Sequence, residues 1–169
     1  MAETVYILAG SNMGDREKNL HTALDKLKRL EGLEVVAVSG IYVSEAVDMD
    51  DEAPAFMNQV IMGDYQYKTT ELLNALESIE KQLGRTGKGE KKSRTIDLDI
   101  LLFGQQVIET DRLSVPHREL LNRPFAMVPL LQIDPDIVHP VTGTAVAEFL
   151  TEEGRQSVML YKDHVARDF

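Results

Sequence analysis

The segment Arg94-Thr95-Ile96-Asp97-Leu98-Asp99-Ile100-Leu101-Leu102-Phe103 constrains the fold of this chain more than any other. Its apolar character and lack of helical spacing make it a buried strand. Side chains alternate along a strand, so Asp97 and Asp99 share one face while Ile96, Leu98, Ile100 and Leu102 are expected on the other. Asp is disfavoured in strands, and a buried carboxylate without a partner is costly or loses its charge. Two such carboxylates in an apolar run call for a cation. The simpler alternative places both at a strand end, facing water or nearby Lys and Arg. The surroundings favour the first reading, because a basic loop precedes the strand and a Pro-His pair and several arginines follow it.

The chain has 169 residues, enough for a substantial core, and is read as one domain spanning 1–169. Its 18 basic and 28 acidic residues give a net charge of -10, which disfavours nucleic acid or a membrane surface as partner. Against that background Lys81, Arg85, Lys88, Lys91, Lys92 and Arg94 cluster with Glu90 as the only acid among them. Such a local excess suits a small polyanion, although a solvated charged loop has the same composition. No cysteine is present, which excludes disulfides, thiolate metal sites and a cysteine nucleophile. With no long apolar run and no basic leader, a cytoplasmic protein is expected.

Periodicity orders the elements. Thr4 to Ala9 reads as a strand that breaks into a turn at Gly10-Ser11-Asn12-Met13-Gly14. Leu20, Leu24, Leu27 and Leu30 then mark a helix from Asp15 to about Glu31, stopped by Gly32. Leu33 to Ser44 and Phe56 to Tyr67 read as strands around an acidic 48–52 loop. A helix with Leu72, Leu73, Leu76, Ile79 and Leu83 on one face starts at Thr69 or Thr70 and stops at Gly84. With the Asp97/Asp99 strand this is βαββαβ, an α+β ferredoxin-like core with an antiparallel sheet. A C-terminal elaboration follows: short apolar pieces, a Pro-rich stretch from Pro116 to Pro140 and a helix near Ala145 to Leu150.

The glycines fit neither a Walker A loop nor a GxGxxG fingerprint, so bound phosphates would be held by side chains and metal. Arg85, Arg94, Arg112, His117, Arg118 and Arg123 supply the side chains. Guanidinium groups grip phosphate oxygens bidentately, and a carboxylate-held Mg2+ bridges the same oxygens.

Four stretches together resemble the 6-hydroxymethyl-7,8-dihydropterin pyrophosphokinase family: Leu8 to Arg16 (LAGSNMGDR), Phe56-Met57-Asn58, Ser93 to Ile100 (SRTIDLDI), and Ser114-Val115-Pro116-His117 through Asn122-Arg123-Pro124-Phe125. The resemblance runs from near Val5 to about Pro140. It implies a ferredoxin-like fold and Mg-dependent transfer of the β,γ-diphosphate of ATP to a pterin hydroxymethyl group, with release of AMP in folate biosynthesis. On this resemblance Asp97 and Asp99 hold two Mg2+ ions, with Arg94 and Arg85 beside the triphosphate. Arg94, Ile100, Arg112, Leu113, Ser114, His117, Arg118 and Arg123 then form the ATP side. Phe56 and Phe125 match the rings between which the pterin stacks, Asn58 the amide that reads its edge, and Ser44 and Val47 further pterin-side positions. Glu80 matches a helix carboxylate near the site, while a solvent-facing helix Glu is the default reading. The partners implied are small molecules, with no obligate protein partner.

The chain also departs from the family pattern. Lys91-Lys92-Ser93 stands where the family shows Arg-Trp-Gly-Pro, the loop is about one residue shorter, and Gly87 replaces a second arginine. The chain has no Trp at all. Taken without the resemblance, the residues leave open a metal-dependent nucleotidyl transferase on a ferredoxin-like palm. They also leave open a non-catalytic sensor domain in which the two aspartates are structural.

Overall fold

The computed structural model describes residues 2–44, 55–84, 95–162 and 166–167. The chain runs β1 (Glu3–Ser11), α1 (Arg16–Lys28), β2 (Leu33–Val38), β3 (Ile41–Ser44), β4 (Phe56–Tyr65), α2 (Thr69–Gln82) and β5 (Asp97–Phe103). The elaboration adds β6 (Ile108–Glu109), β7 (Ser114–Val115), α3 (Pro124–Ile133), α4 (Glu152–Gln156), β8 (Met159–Lys162) and β9 (Ala166–Arg167). The main sheet has the order β5-β1-β4-β2-β9, with β3 paired to β4 and β8. Its β5-β1-β4-β2 core is antiparallel throughout and has the ferredoxin-like arrangement expected from the element order.

The alternation within β1 explains why both faces of the sheet are covered. Val5, Ile7 and Ala9 pack with Leu20, Ala23 and Leu27 of α1 and Leu72, Leu76 and Ile79 of α2. Tyr6 and Leu8 face the other way and pack with Ala126, Met127, Leu130 and Ile133 of α3. A strand buried on both sides reads as a continuous apolar run rather than an alternating one. α3 packs on this second face against β4 and β3.

Several expectations change. Gly10 and Ser11 belong to β1, paired with Asn58 and Met57, rather than to a turn. The stretch from Leu33 to Ser44 is two strands, broken at Ser39-Gly40, where the Ser39 hydroxyl takes over a β4 pairing by accepting from the Val60 amide at 2.9 Å. Leu102 does not join Leu98 and Ile100. The β1–β5 register jumps from Tyr6↔Leu102 to Ile7↔Ile100, so Leu101 is an extra residue that turns Leu102 toward α3 and Phe103 toward α1 and α2. The Pro-rich stretch contains α3, with Pro124 in its first turn, where a missing amide costs nothing, and Pro129 inside it. Near Ala145 to Leu150 there is a 3-10 turn, Val146–Phe149, instead of a helix.

The tail was not expected to add strands, yet β8 pairs with β3 and β9 with β2. At this corner Gly40 is pressed from two sides. Its amide donates to Gln132 Oε1 of α3 at 2.8 Å, and a Cβ there would lie 2.7 Å from the Lys162 carbonyl oxygen of β8. Gly40→Ala is therefore expected to destabilise the fold by about 1–3 kcal/mol through overpacking. Urea denaturation of the two proteins measures the difference.

Candidate active site

The site grows from one row of the sheet. Gly10 of β1 is the register partner of Asn58 on one side and of Asp97 on the other. Directly paired residues point to the same face, so Asn58 and Asp97 flank a position that carries no side chain. With strands spaced about 4.8 Å apart, the two backbones stand about 10 Å from each other across Gly10. In the next row Leu8 separates Val60 from Asp99. Leu8 and Val60 belong to the α3 side, which places the whole row on that face.

Sequence reasoning treated Gly10 as a turn residue and missed its role here. A Cβ at Gly10 would lie 3.0 Å from Asn58 Oδ1 and 3.4 Å from Cδ1 of Phe56. Glycine lets the Asn58 amide and the Phe56 ring close in over this position. Asn58 is 2% exposed, and its Nδ2 donates to Ser44 Oγ at 2.8 Å, which orients the amide. Ser44 is the register partner of Phe56, so β3 and β4 together carry Ser44, Phe56 and Asn58 to the same end of the face.

Asp97 and Asp99 are half-buried on β5 and share this face, as their spacing predicts. Between them the Leu98 amide points to the open edge of the sheet and donates to Glu80 Oε2 at 2.7 Å. Glu80 is 2% exposed, so the default reading of a solvent-facing carboxylate is overturned. Its spacing carried the signal: Leu73, Leu76 and Glu80 fall on one helical stripe. Among the described residues no three acidic or imidazole groups gather into a complete metal cage. Two carboxylates and no thiolate or imidazole cluster suit Mg2+, which keeps water and substrate phosphates as its remaining ligands.

The segment after β5 lines the neighbouring edge. The His117 amide donates to the Leu101 carbonyl at 2.9 Å, tying this segment to the bulge. His117 Nδ1 accepts from the Glu119 amide at 3.1 Å, which in a neutral ring leaves the proton on Nε2. Arg112 donates to Asn74 Oδ1 and, at 2.6 Å, to Glu77 Oε1 of α2. Arg118 reaches Glu109 Oε2 at 3.0 Å, and Ser114 Oγ donates to the other oxygen of the same carboxylate at 2.5 Å. The Ser114 hydroxyl first, then Arg118, hold the Glu109 carboxyl below its ordinary range. Arg123 lies over the Phe125 ring, 5.6 Å from its centre, at the start of α3.

Two positions expected on the nucleotide side carry core side chains. Ile100 and Leu113 both pack in the α1/α2 cluster, and Ile100 lies on the face opposite Asp97 and Asp99. Ile100 follows Leu98 by two residues, so its backbone polar groups share the open edge of β5 and are what it can offer a ligand. Arg85, Arg94 and Val47 lie outside the described residues, as do Lys88, Lys91, Lys92 and the acidic 48–52 segment.

Residues 6–135 match the sequence profile of 7,8-dihydro-6-hydroxymethylpterin-pyrophosphokinase, abbreviated HPPK. The chain belongs to this family. It is 39% identical over 140 residues to a 2-amino-4-hydroxy-6-hydroxymethyldihydropteridine pyrophosphokinase of Pseudomonas aeruginosa, covering 83% of this chain and 86% of the relative. The enzyme of that name from Aquifex aeolicus is 38% identical over 149 residues, covering 88% and 91%. The chain also matches the folic acid synthesis protein fol1 of Pneumocystis carinii at 40% identity over 147 residues, or 87% of this chain, but spans only 20% of that longer protein. Among solved structures, wild-type HPPK-DHPS of Plasmodium falciparum with pteroate superposes with a TM-score of 0.70 at 12% identity. The match covers 88% of this chain and 44% of that one, and it supports the shared fold.

Replacing Glu80 by Ala removes the acceptor of the Leu98 amide. The expected loss is about 1–3 kcal/mol of stability, measured by urea denaturation, because a buried donor is left without its carboxylate.

Proposed function

We propose that this chain transfers the β,γ-diphosphate of ATP to the hydroxymethyl group of 6-hydroxymethyl-7,8-dihydropterin, as a step of folate biosynthesis. The observation that carries the reading is the row Asn58–Gly10–Asp97: an oriented amide and a carboxylate stand on opposite sides of a position without a side chain, with the Phe56 ring beside it. A flat ligand stacked on the Phe56 ring above this row reaches both. Its ring edge meets the Asn58 amide, and its hydroxymethyl group extends toward Asp97. Phe56 on β4 and Phe125 on α3 supply the aromatic surfaces for the ring, and Ser44 keeps Asn58 in the reading orientation.

In the transfer the hydroxyl oxygen forms a bond to the β-phosphorus while the bond from that phosphorus to the α,β-bridging oxygen breaks. AMP leaves with the bridging oxygen, and the hydroxyl proton passes to solvent water. Mg2+, in the two-ion form the family resemblance implies, would be held by Asp97 and Asp99 and supply charge neutralisation at the phosphates. Asp97 faces the reacting end of the pterin, where its carboxylate orients the hydroxyl. Arg112, Ser114, His117, Arg118 and Arg123 line the ATP side, joined by Arg85 and Arg94 on the family pattern. Arg112 and Arg118 rest on the carboxylates of Glu77 and Glu109, and a triphosphate takes them over by exchanging one anion for another.

Product analysis tests the activity directly. With ATP, Mg2+ and 6-hydroxymethyl-7,8-dihydropterin, the chain is expected to release AMP and the pterin diphosphate, and Asp97→Ala or a chelator is expected to abolish turnover. ADP or pyrophosphate as product would overturn this reading in favour of another transferase. An Asp97→Ala protein that keeps full ligand affinity, beside a wild type without turnover, would favour the sensor reading.

Asn58→Ala separates recognition from chemistry. Losing the buried amide is expected to raise the pterin KM by about 10–100-fold. The ATP KM should change little, as steady-state kinetics in each substrate would show.

A further inference from the structure

The turn that joins β1 to α1 is tightly organised for a segment with no assigned chemistry. Asp15 caps α1 by accepting from the Lys18 amide at 3.1 Å, and Asn19 Nδ2 donates to Met13 O at 2.8 Å and to Ser11 Oγ at 3.1 Å. From the first position of the helix so fixed, half-buried Arg16 reaches across to β4 and donates from Nη1 to the Ala55 carbonyl at 2.6 Å.

The β1–β4 ladder ends at Ser11↔Met57. Among the described residues Phe56 therefore has a strand partner on one side, Ser44 of β3. On the other side the ladder is continued by the guanidinium of Arg16, which holds the carbonyl immediately before Phe56. The next residue of the same turn, Glu17, pairs with Lys162 and takes a hydrogen bond from Tyr161 Oη at 3.3 Å, both on β8. β8 in turn backs β3. One helical turn thus braces both strands that carry Ser44, Phe56 and Asn58.

We propose that Arg16 is a positioning residue that sets the placement of the Phe56 ring beside Gly10, so that it governs affinity for the pterin and not for ATP. This rests on the pterin reading given above. A ring held at both ends of its backbone loses less freedom when a flat ligand stacks on it, and that saving appears in binding. Removing the brace weakens ground-state and transition-state binding of the pterin alike, which raises KM and leaves kcat unchanged.

The test compares Arg16→Met, Arg16→Lys and Phe56→Ala in the full chain by AMP release with ATP and Mg2+. Arg16→Met keeps the aliphatic stem without the donor. It is expected to raise the pterin KM by about tenfold, with kcat and the ATP KM within about twofold of wild type. Arg16→Lys retains a donor for the Ala55 carbonyl and is expected to recover most of the loss. Phe56→Ala is expected to raise the pterin KM at least as much. If Phe56→Ala raises it while Arg16→Met does not, the role given to Arg16 is wrong and the pterin reading stands. If Phe56→Ala leaves it unchanged, the pterin reading falls and the role of Arg16 with it. An Arg16→Met protein that does not fold, or whose two KM values rise together, would also overturn the proposal, because the bond would then serve the fold as a whole.

Discussion

β5 is an edge strand with two incompatible faces, and the rest of the site depends on how that conflict is settled. Leu98 and Ile100 are buried against α1 and α2, and alternation then commits Asp97 and Asp99 to the opposite face. A slip of one residue would bury both carboxylates among leucines, a far greater cost than any local gain. The edge itself is held from the side, because the Leu98 amide donates to Glu80. The same carboxylate that satisfies the backbone therefore steadies the residue between the two aspartates.

The two sides of the proposed site are built by different physics. The side proposed for the pterin is built from sheet register: Gly10 lets Asn58 and Phe56 close in, Ser44 orients Asn58, and Phe56 stands at a strand end. On the side proposed for the nucleotide the cations are on short elements after β5 and rest on carboxylates, Arg112 on Glu77 and Arg118 on Glu109. These exposed pairs are weak individually, so exchanging them for phosphate oxygens costs little.

Some of this was open to reading in the amino-acid order and some was not. The element order, both main helices and the shared face of the two aspartates follow from periodicity, since period 2 and period 3.6 are local properties. α3 escaped notice because its prolines mask a helix that tolerates Pro124 in the first turn. The Leu101 bulge escaped because an extra residue in one strand is visible only against its partner. Glu80 was misjudged although its spacing put it on the buried stripe, since a carboxylate is assumed exposed until an amide is found for it. Phe56, Asn58 and Ser44 were matched by motif, and the register joins them through a hydrogen bond that no motif contains.

The sequence by itself determined that Asp97 and Asp99 share a face, where the two main helices lie, and which four motifs the chain carries, because each is written in neighbours along the chain. Only the tertiary structure decided that Gly10 lies between Asn58 and Asp97, that Glu80 holds the strand of the two aspartates, and that Arg16 extends a ladder β1 cannot complete. Those relations join residues tens of positions apart. They exist only once strand pairing has chosen a register, and the choice is made by how much apolar surface each register buries.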